Sequence, residues 1–585
     1  MTRFMNAASL RSSMLVAALL FVATVACDTE DAPFDNTTVE VYDIAAYDHD
    51  DNGMVSGSVN GQSLPFQFQH TYRIGHKGEK DHKGNYTWFA ADGPVEVELT
   101  VNGDVTEAAL HSVGQELPYS RSGSTFEFIL PGPGHYWLDL PDLYKPGHIP
   151  YMVHFFVDSL STYQDYQSEF AAATDVTAEY GVESDPNAEQ TGAIQDALNA
   201  EDVVYFPPGI YRTAEFEIPA NTTLLLGEGA VLKGAEGYDS SPFISIDDAP
   251  NVRIGGLGTI DVYAKSRKTG KIHGIDFNND SDHAVLEDFL IRDSQSWMVH
   301  IKRSSDVSVD NLKIFSSKDG IDPDGTRNTI IENTSIVSID DAFAVKSKRE
   351  GYVTENVIMR DNIVSSAASN LKIGTENYYG VIEDIIWDNN KVLNADRGAI
   401  LYTNELEPEE PGANVVDVTW RNIHIKNFPW EEETGGVPFQ LEHRRETEER
   451  YYVDNITYEN IRAWPSKGEE DVDSDRVEPI RSVRFKNVIM NGAFDMATRE
   501  NATYEGVIWE EEQGEGKPVV FIERSPRVHD RYVEGDTVRF DVQHPAGTAI
   551  EEVRLQITSD MRAAADTGTV QPSYRTVGTD GEAPF

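Results

Sequence analysis

The sequence predicts an all-β chain centred on a right-handed parallel β-helix of about ten or more coils, with a β-sandwich before it and a partial immunoglobulin-like module after it. Three observations carry this. Short apolar runs recur in segments that begin at Asn251, His283, Asp306, Asn328, Asn356, Asp384, Asp417, Asn455, Ser482 and Asn501. The sixth position of these segments is Asp288, Asn311, Asn333, Asp361, Asn389, Asn422, Asn460 or Asn487, with Gly256 and Gly506 in the flanking ones. The starts lie 19 to 38 residues apart with a minimal coil near 22, so longer intervals mark loops inserted on one side. A strand that turns at one fixed place per coil leaves backbone groups unpaired there. Stacked Asn side chains donate and accept, satisfy those groups and tolerate the left-handed conformation.

From the N-terminus, Arg3 and Arg11 precede an apolar run, Met14 to Ala26, that is too short to span a bilayer. Residues 1–26 therefore read as an export signal. Residues 27–38 form a polar tether, and 39–166 a β-sandwich of alternating strands such as Val95 to Val101 and Thr125 to Leu130, punctuated by Gly and Pro turns. Gln190 to Leu198 reads as a short amphipathic helix capping the end of the helical domain, which runs from 176 to 512. Beyond it, residues 517–585 resemble the opening strands of a bacterial immunoglobulin-like module that is incomplete.

The chain has 585 residues with 99 acidic against 48 basic, a formal charge of -51. Nucleic acid demands a basic surface, so it is excluded as a partner. With 39% apolar and 10% aromatic residues, the chain is globular. Cys27 is the single cysteine, so no disulfide forms within the chain.

Two acidic clusters carry the chemistry. Asp319 lies 21 residues before Asp340, close to one minimal coil, and Asp341 follows. Stacked coils are about 4.8 Å apart, so the three carboxylates share one patch. Clustered carboxylates repel, which raises at least one pKa. Glycoside hydrolysis needs a protonated carboxyl for the leaving oxygen and an ionised one to activate water. One patch can supply both.

Asp319-Gly320-Ile321-Asp322-Pro323-Asp324, followed by Asp340-Asp341-Ala342-Phe343-Ala344-Val345-Lys346-Ser347, resembles the signature of glycoside hydrolase family 28, the polygalacturonases and relatives. The run from Asp293 through Trp297 to His300 resembles the stretch that precedes those motifs in the family. The sandwich ahead of a β-helix is similar to family 49, the dextranases and isopullulanases. The resemblance implies inversion, with Asp340 as general acid and Asp319 and Asp341 positioning and deprotonating water. Inversion asks for acid and base roughly 6.5 to 9.5 Å apart. Thr24-Val25-Ala26-Cys27 resembles a lipoprotein cleavage box, implying a lipid on Cys27 and a place at the bacterial cell envelope, on its periplasmic or surface face. An ordinary signal cut after Ala26 is the alternative.

The family pattern is broken at Ser317-Lys318, at Ile339, at Ser369-Asn370 where His-Gly is expected, and at Ala399-Ile400-Leu401 where Arg-Ile-Lys is expected. Lys372 and Arg397 stand near enough to replace those cations. These losses turn the expected substrate from plain polygalacturonan toward a neutral α-glucan or another α-linked, even sulfated, glycan. Lys346 reads either as the cluster's counter-charge or as a sugar contact. Trp297 and His300 either line the cleft or pack between coils. Glu376 and Tyr378 fall on a loop on the cleft side and are candidate sugar contacts. Asp322 and Asp324 read as turn and ladder residues. No His or Cys spacing suggests a metal site and no cofactor is expected. A polysaccharide is the expected partner of a monomeric chain. A non-catalytic polysaccharide-binding or adhesive β-helix and a polysaccharide lyase are the competing readings.

Overall fold

The computed structural model describes residues 37–44, 52–72, 81–143, 148–238, 240–262, 272–394, 397–402, 411–426, 437–442, 451–464, 482–491, 502–505, 508–510, 531–534 and 537–540. The export signal, the tether up to residue 36 and Cys27 lie outside these, as does most of the immunoglobulin-like segment. Of that segment, Arg531–Glu534 and Thr537–Phe540 form an antiparallel pair.

Strands between Val39 and Ser159 form two sheets, one of seven strands and one of five. Alternate residues of Val95–Val101 and Thr125–Leu130 point inward, as the period-two pattern dictates, and meet Phe89, Leu138, Val153 and Phe155 between the sheets. The sandwich strands end earlier than the sequence suggests. Ser159 accepts a hydrogen bond from the Thr162 amide and starts an α-helix, Leu160–Ala172, whose Tyr166 and Phe170 pack inward. Leu160, Tyr163, Tyr166 and Phe170 carry helical rather than strand spacing.

The β-helix follows. Each central coil has three strands, for example Ser308–Asp310, Lys313–Ser316 and Ile321–Asp324. Each pairs in parallel with its counterpart one coil on: Arg327–Glu332, Ser335–Ser338 and Phe343–Ser347. The first two strand lines belong to one continuous sheet bent at the Asn column; the third forms a nine-stranded sheet of its own. All eight residues of the Asn and Asp column, from Asp288 to Asn487, have φ between 49° and 71°. Asn311 donates to Asp288 at 2.7 Å, Asn460 to Asn422 at 3.0 Å and Asn487 to Asn460 at 3.0 Å. At Gly256 the same bend has φ of 123°, and a Cβ there would run into the Leu226 carbonyl. A second left-handed column lies at the segment starts, where Asn251 to Asn455 have φ between 51° and 60°.

The described interior is mainly apolar and ends in an aromatic stack. Trp387, Trp420, Tyr458 and Phe485 lie ring on ring at 4.8, 4.9 and 4.9 Å, the coil spacing itself. Thr191–Ala200 covers the first coil with Ile194, Ala197 and Leu198. The sandwich lies along the flank of the helix rather than across an end of the cleft. Trp88, Trp137 and Phe156, on the outer face of its seven-stranded sheet, meet Leu290, Phe315, Val337, Ile363 and Leu393 from successive coils. Asp158 anchors this interface, accepting from Trp88 at 2.6 Å, Asn311 at 2.9 Å and Lys313 at 3.0 Å.

Candidate active site

The acidic clusters sit where the second strand of a coil turns into the third. A serine begins this turn in four successive coils: Ser294, Ser316, Ser338 and Ser366, all fully buried. Ser316 donates to the Asp319 carbonyl at 2.8 Å and Ser338 to the Asp340 carbonyl at 3.1 Å. Gly320 is required by close approach, because a Cβ there would meet the Ala342 carbonyl at 2.5 Å. Gly320 in turn donates its amide to the Asp341 carbonyl at 2.9 Å, which locks the two turns in register.

Asp319, Asp340 and Asp341 each bring a carboxylate oxygen within 4.8 Å of the others. Asp319 and Asp341 are buried; Asp340 is half-buried and reaches the surface of the patch. This separation is shorter than the inverting spacing expected from the sequence, though it joins oxygens rather than carboxyl carbons. It suits one water held between two oxygens.

Two buried lysines compensate the charge. Lys346 lies 2.7 Å from Asp322, 3.1 Å from Asp319 and 3.5 Å from Glu376. Lys372 lies 2.7 Å from Asp341. Burial opposes ionisation of Asp319, yet Lys346, Lys318 and Lys372 outweigh it and hold the carboxyl down to about 2. Asp322 shares Lys346 but is fully buried, and burial pushes it well above the usual range. Burial likewise opposes the charge on Glu376, and Lys346 and Lys348 reverse it to hold the carboxyl below its ordinary value. The patch thus contains carboxyl groups driven in opposite directions, the condition for pairing a base with an acid.

Trp297 is only 8% exposed and so is not an open sugar platform. The ammonium groups of Lys346, Lys348 and Lys318 gather over its ring at 3.9, 4.1 and 5.3 Å. His300 is buried as well and donates to Asp324 at 3.2 Å, away from the three aspartates. Tyr378 is buried, with its amide donating to the Ser347 carbonyl. Arg397 and Lys372 both lie over Tyr402, at 5.8 and 5.6 Å. Lys372 therefore reaches the trio directly, whereas Arg397 stands one strand further on in the third sheet.

Sequence reasoning missed Asp322, Lys348 and Tyr402. For Asp322 a signal existed: it lies three residues after Asp319, and Lys346 stands 24 residues after it, about one coil on. Much of the loops inserted in the longer coils, residues 263–271, 403–410, 427–436 and 443–450, lies outside the described residues.

The described coils thus form a parallel β-helix with paired acids and buried lysines along one turn line. Residues 174–400 match the family model described as rhamnogalacturonase A/epimerase, pectate lyase-like. A probable polygalacturonase of Vitis vinifera is 24% identical over 303 residues, covering 43% of this chain and 60% of the relative's length. Among solved structures, the Thermotoga maritima exopolygalacturonase aligns over 59% of this chain and 96% of its own, at 18% identity and a TM-score of 0.46. Dex49A from Penicillium minioluteum aligns over 78% and 93%, at 11% identity and a TM-score of 0.39. Both acidic clusters, Asp319 to Asp324 and Asp340 to Ser347, lie within the residues that the family model matches.

Proposed function

We propose that the protein is an inverting glycoside hydrolase acting on an α-linked polysaccharide. The observation that carries this is the trio of carboxylates within 4.8 Å, with Asp340 half-buried and Asp319 held ionised. In this reading Asp340 gives its proton to the leaving glycosidic oxygen. Asp319 and Asp341 hold the attacking water between them and take its proton. Lys346 keeps Asp319 charged at a buried site where burial alone would neutralise it, and Lys372 pairs with Asp341 at 2.7 Å. Lys318 and Lys348, which lie over Trp297 beside the paired Lys346, would meet a carboxylate or sulfate carried by the glycan.

The test is a polysaccharide screen, neutral and anionic, with the chain from residue 28 onward and its Asp340→Asn variant. New reducing ends of inverted anomeric configuration by NMR, reduced about 10²- to 10⁴-fold in the variant, are expected. Products absorbing near 235 nm would identify a lyase instead. Binding without products, unchanged in Asp340→Asn, would leave a glycan-binding protein.

The export signal and Thr24-Val25-Ala26-Cys27 support placement at the cell envelope through a lipid on Cys27. Cys27→Ser is expected to move the protein from the membrane fraction to the soluble fraction. An unchanged distribution would remove the anchor.

A further inference from the structure

A second cluster lies on the third sheet, on coils preceding those of the aspartate trio. His273 stands just before the strand Ile275–Asn278, which carries Asp276; His300 lies on the neighbouring strand, directly paired with Asp276. One ring nitrogen of each imidazole and one oxygen of Asp276 fall within 4.8 Å of one another. Asp276 and His300 are 5% and 3% exposed, while the His273 side chain keeps 17% of its surface.

The contacts inside this cluster are not those of hydrogen bonds. His300 Nδ1 lies 2.9 Å and His273 Nδ1 3.3 Å from Asp276 Oδ1. All three atoms are buried without a well-aligned hydrogen bond, so each ring approaches Oδ1 closely without pointing an N–H squarely at it. Two ligands of one small divalent ion, each about 2.0 to 2.2 Å from it, stand roughly 2.9 Å apart at an octahedral centre and roughly 3.3 Å apart at a tetrahedral one.

The second atoms of two ligands are already held. A carboxylate can only accept, so the bond from His300 Nε2 to Asp324 Oδ2 at 3.2 Å places the proton on Nε2 and leaves the Nδ1 lone pair free. Asp276 Oδ2 accepts from Lys302 at 3.0 Å, which orients Oδ1 toward the imidazoles. A carboxylate behind a ligating histidine is the usual support of a metal site.

We propose that His273, Asp276 and His300 form a three-ligand site for a first-row divalent metal ion, with Zn²⁺ the best match to two imidazoles and one carboxylate. Two carboxylates, Asp276 and Asp324, and one ammonium, Lys302, contact the site directly. A bound dication therefore retains positive charge and takes a further oxygen ligand at an open position on the partly exposed His273 side. Trp297 adjoins both imidazoles, with ring centroids 4.9 Å from His273 and 4.6 Å from His300, and Lys346 and Lys348 lie over the same indole. The oxygen taken is water or an acidic oxygen of a glycan in the adjoining cleft.

The test uses the chain from residue 28 onward, stripped with a chelator. It is titrated with Zn²⁺ by calorimetry and with Co²⁺ by visible absorption. One equivalent of Zn²⁺ is expected, with an intense Co²⁺ band of the kind that nitrogen ligands in a low-coordinate site produce. His273→Ala, at the partly exposed ligand, is expected to weaken binding at least about 100-fold, and Asp324→Asn about 10- to 100-fold. Asp340→Asn is expected to bind as the parent does, which separates this site from the aspartate trio. No saturable Zn²⁺ binding by the parent chain would overturn the proposal, as would undiminished affinity in His273→Ala. A weak Co²⁺ band, as six oxygens give, would overturn it without recourse to any variant.

Discussion

Lys346 is the residue on which the candidate site turns. It is fully buried and lies within salt-bridge distance of Asp319, Asp322 and Glu376. Lys346→Gln leaves those acids without their shared cation, so destabilisation of about 3 to 5 kcal/mol is expected in denaturant unfolding. The sign of the pH effect follows from Asp319. Its carboxyl is held at about 2, mainly by Lys346 working against burial, so it is ionised above that pH. Removing the lysine raises that value, and the acid limb of the activity profile is expected to move to higher pH. An unmoved limb would mean that another group sets it. The three aspartates were legible because Asp319 and Asp340 are one short coil apart, with no insertion between them. His273, Asp276 and His300 were not. A histidine and an aspartate three residues apart show no ligand pattern until the stacking of coils brings His300 beside them.

At the scale of the element, the bends are the legible feature. Every described Asn or Asp assigned to the sixth position takes the left-handed conformation that the residue type permits. Asn460 has φ of 54°, donates to Asn422 and accepts from Asn487. Asn460→Ala loses both bonds and strains the bend, an expected cost of about 2 to 3 kcal/mol. Asn460→Gly keeps the bend and loses only the bonds, an expected cost of about 1 kcal/mol. Hydrogen exchange of the coils around residues 453–464 measures the difference, and equal losses would show that conformation contributes nothing there. The second left-handed column was less legible because its first and last members, Asn251 and Asn455, are joined by residues as different as His283 and Asp384. The serines that start the acidic turns were missed for another reason. Serine is common in turns of every kind, so only the stacking of Ser294, Ser316, Ser338 and Ser366 gives it meaning.

At the scale of the whole molecule, the sandwich and the helix share one buried face, and its histidines set the response to acid. Burial pushes His82 and His135 down to about 3, and His111 and His154 well below their ordinary value. Below pH 6.5 the unfolded chain protonates these rings while the folded chain does not, so unfolding takes up protons and stability falls toward pH 3. Asp139 and Asp288, raised to about 7 by burial, act in the opposite sense between about 4 and 7, and Asp322, Asp310 and Glu228, which burial also raises, act with them. Between pH 7 and pH 5 the two sets oppose one another, so the thermal midpoint is expected to fall steeply only below about pH 4, where the raised carboxyls are protonated in both states and the histidines are protonated in the unfolded chain alone. A midpoint that rises from pH 7 to pH 5 would show that the carboxyls dominate there. The docking itself left one trace in the sequence. Residues 86–91 and 149–157 are apolar on both faces apart from Thr87 and His154, a pattern that a sandwich with one wet face does not need. A solenoid whose units touch only their neighbours melts like a zip, from its ends inward. The sandwich spans Leu257, Leu290, Phe315, Val337, Ile363 and Leu393, so it acts as a splint across non-neighbouring turns. The splinted turns, those of Asp319 and Asp341 among them, open together as one cooperative block, while the turns beyond residue 411 unzip one by one.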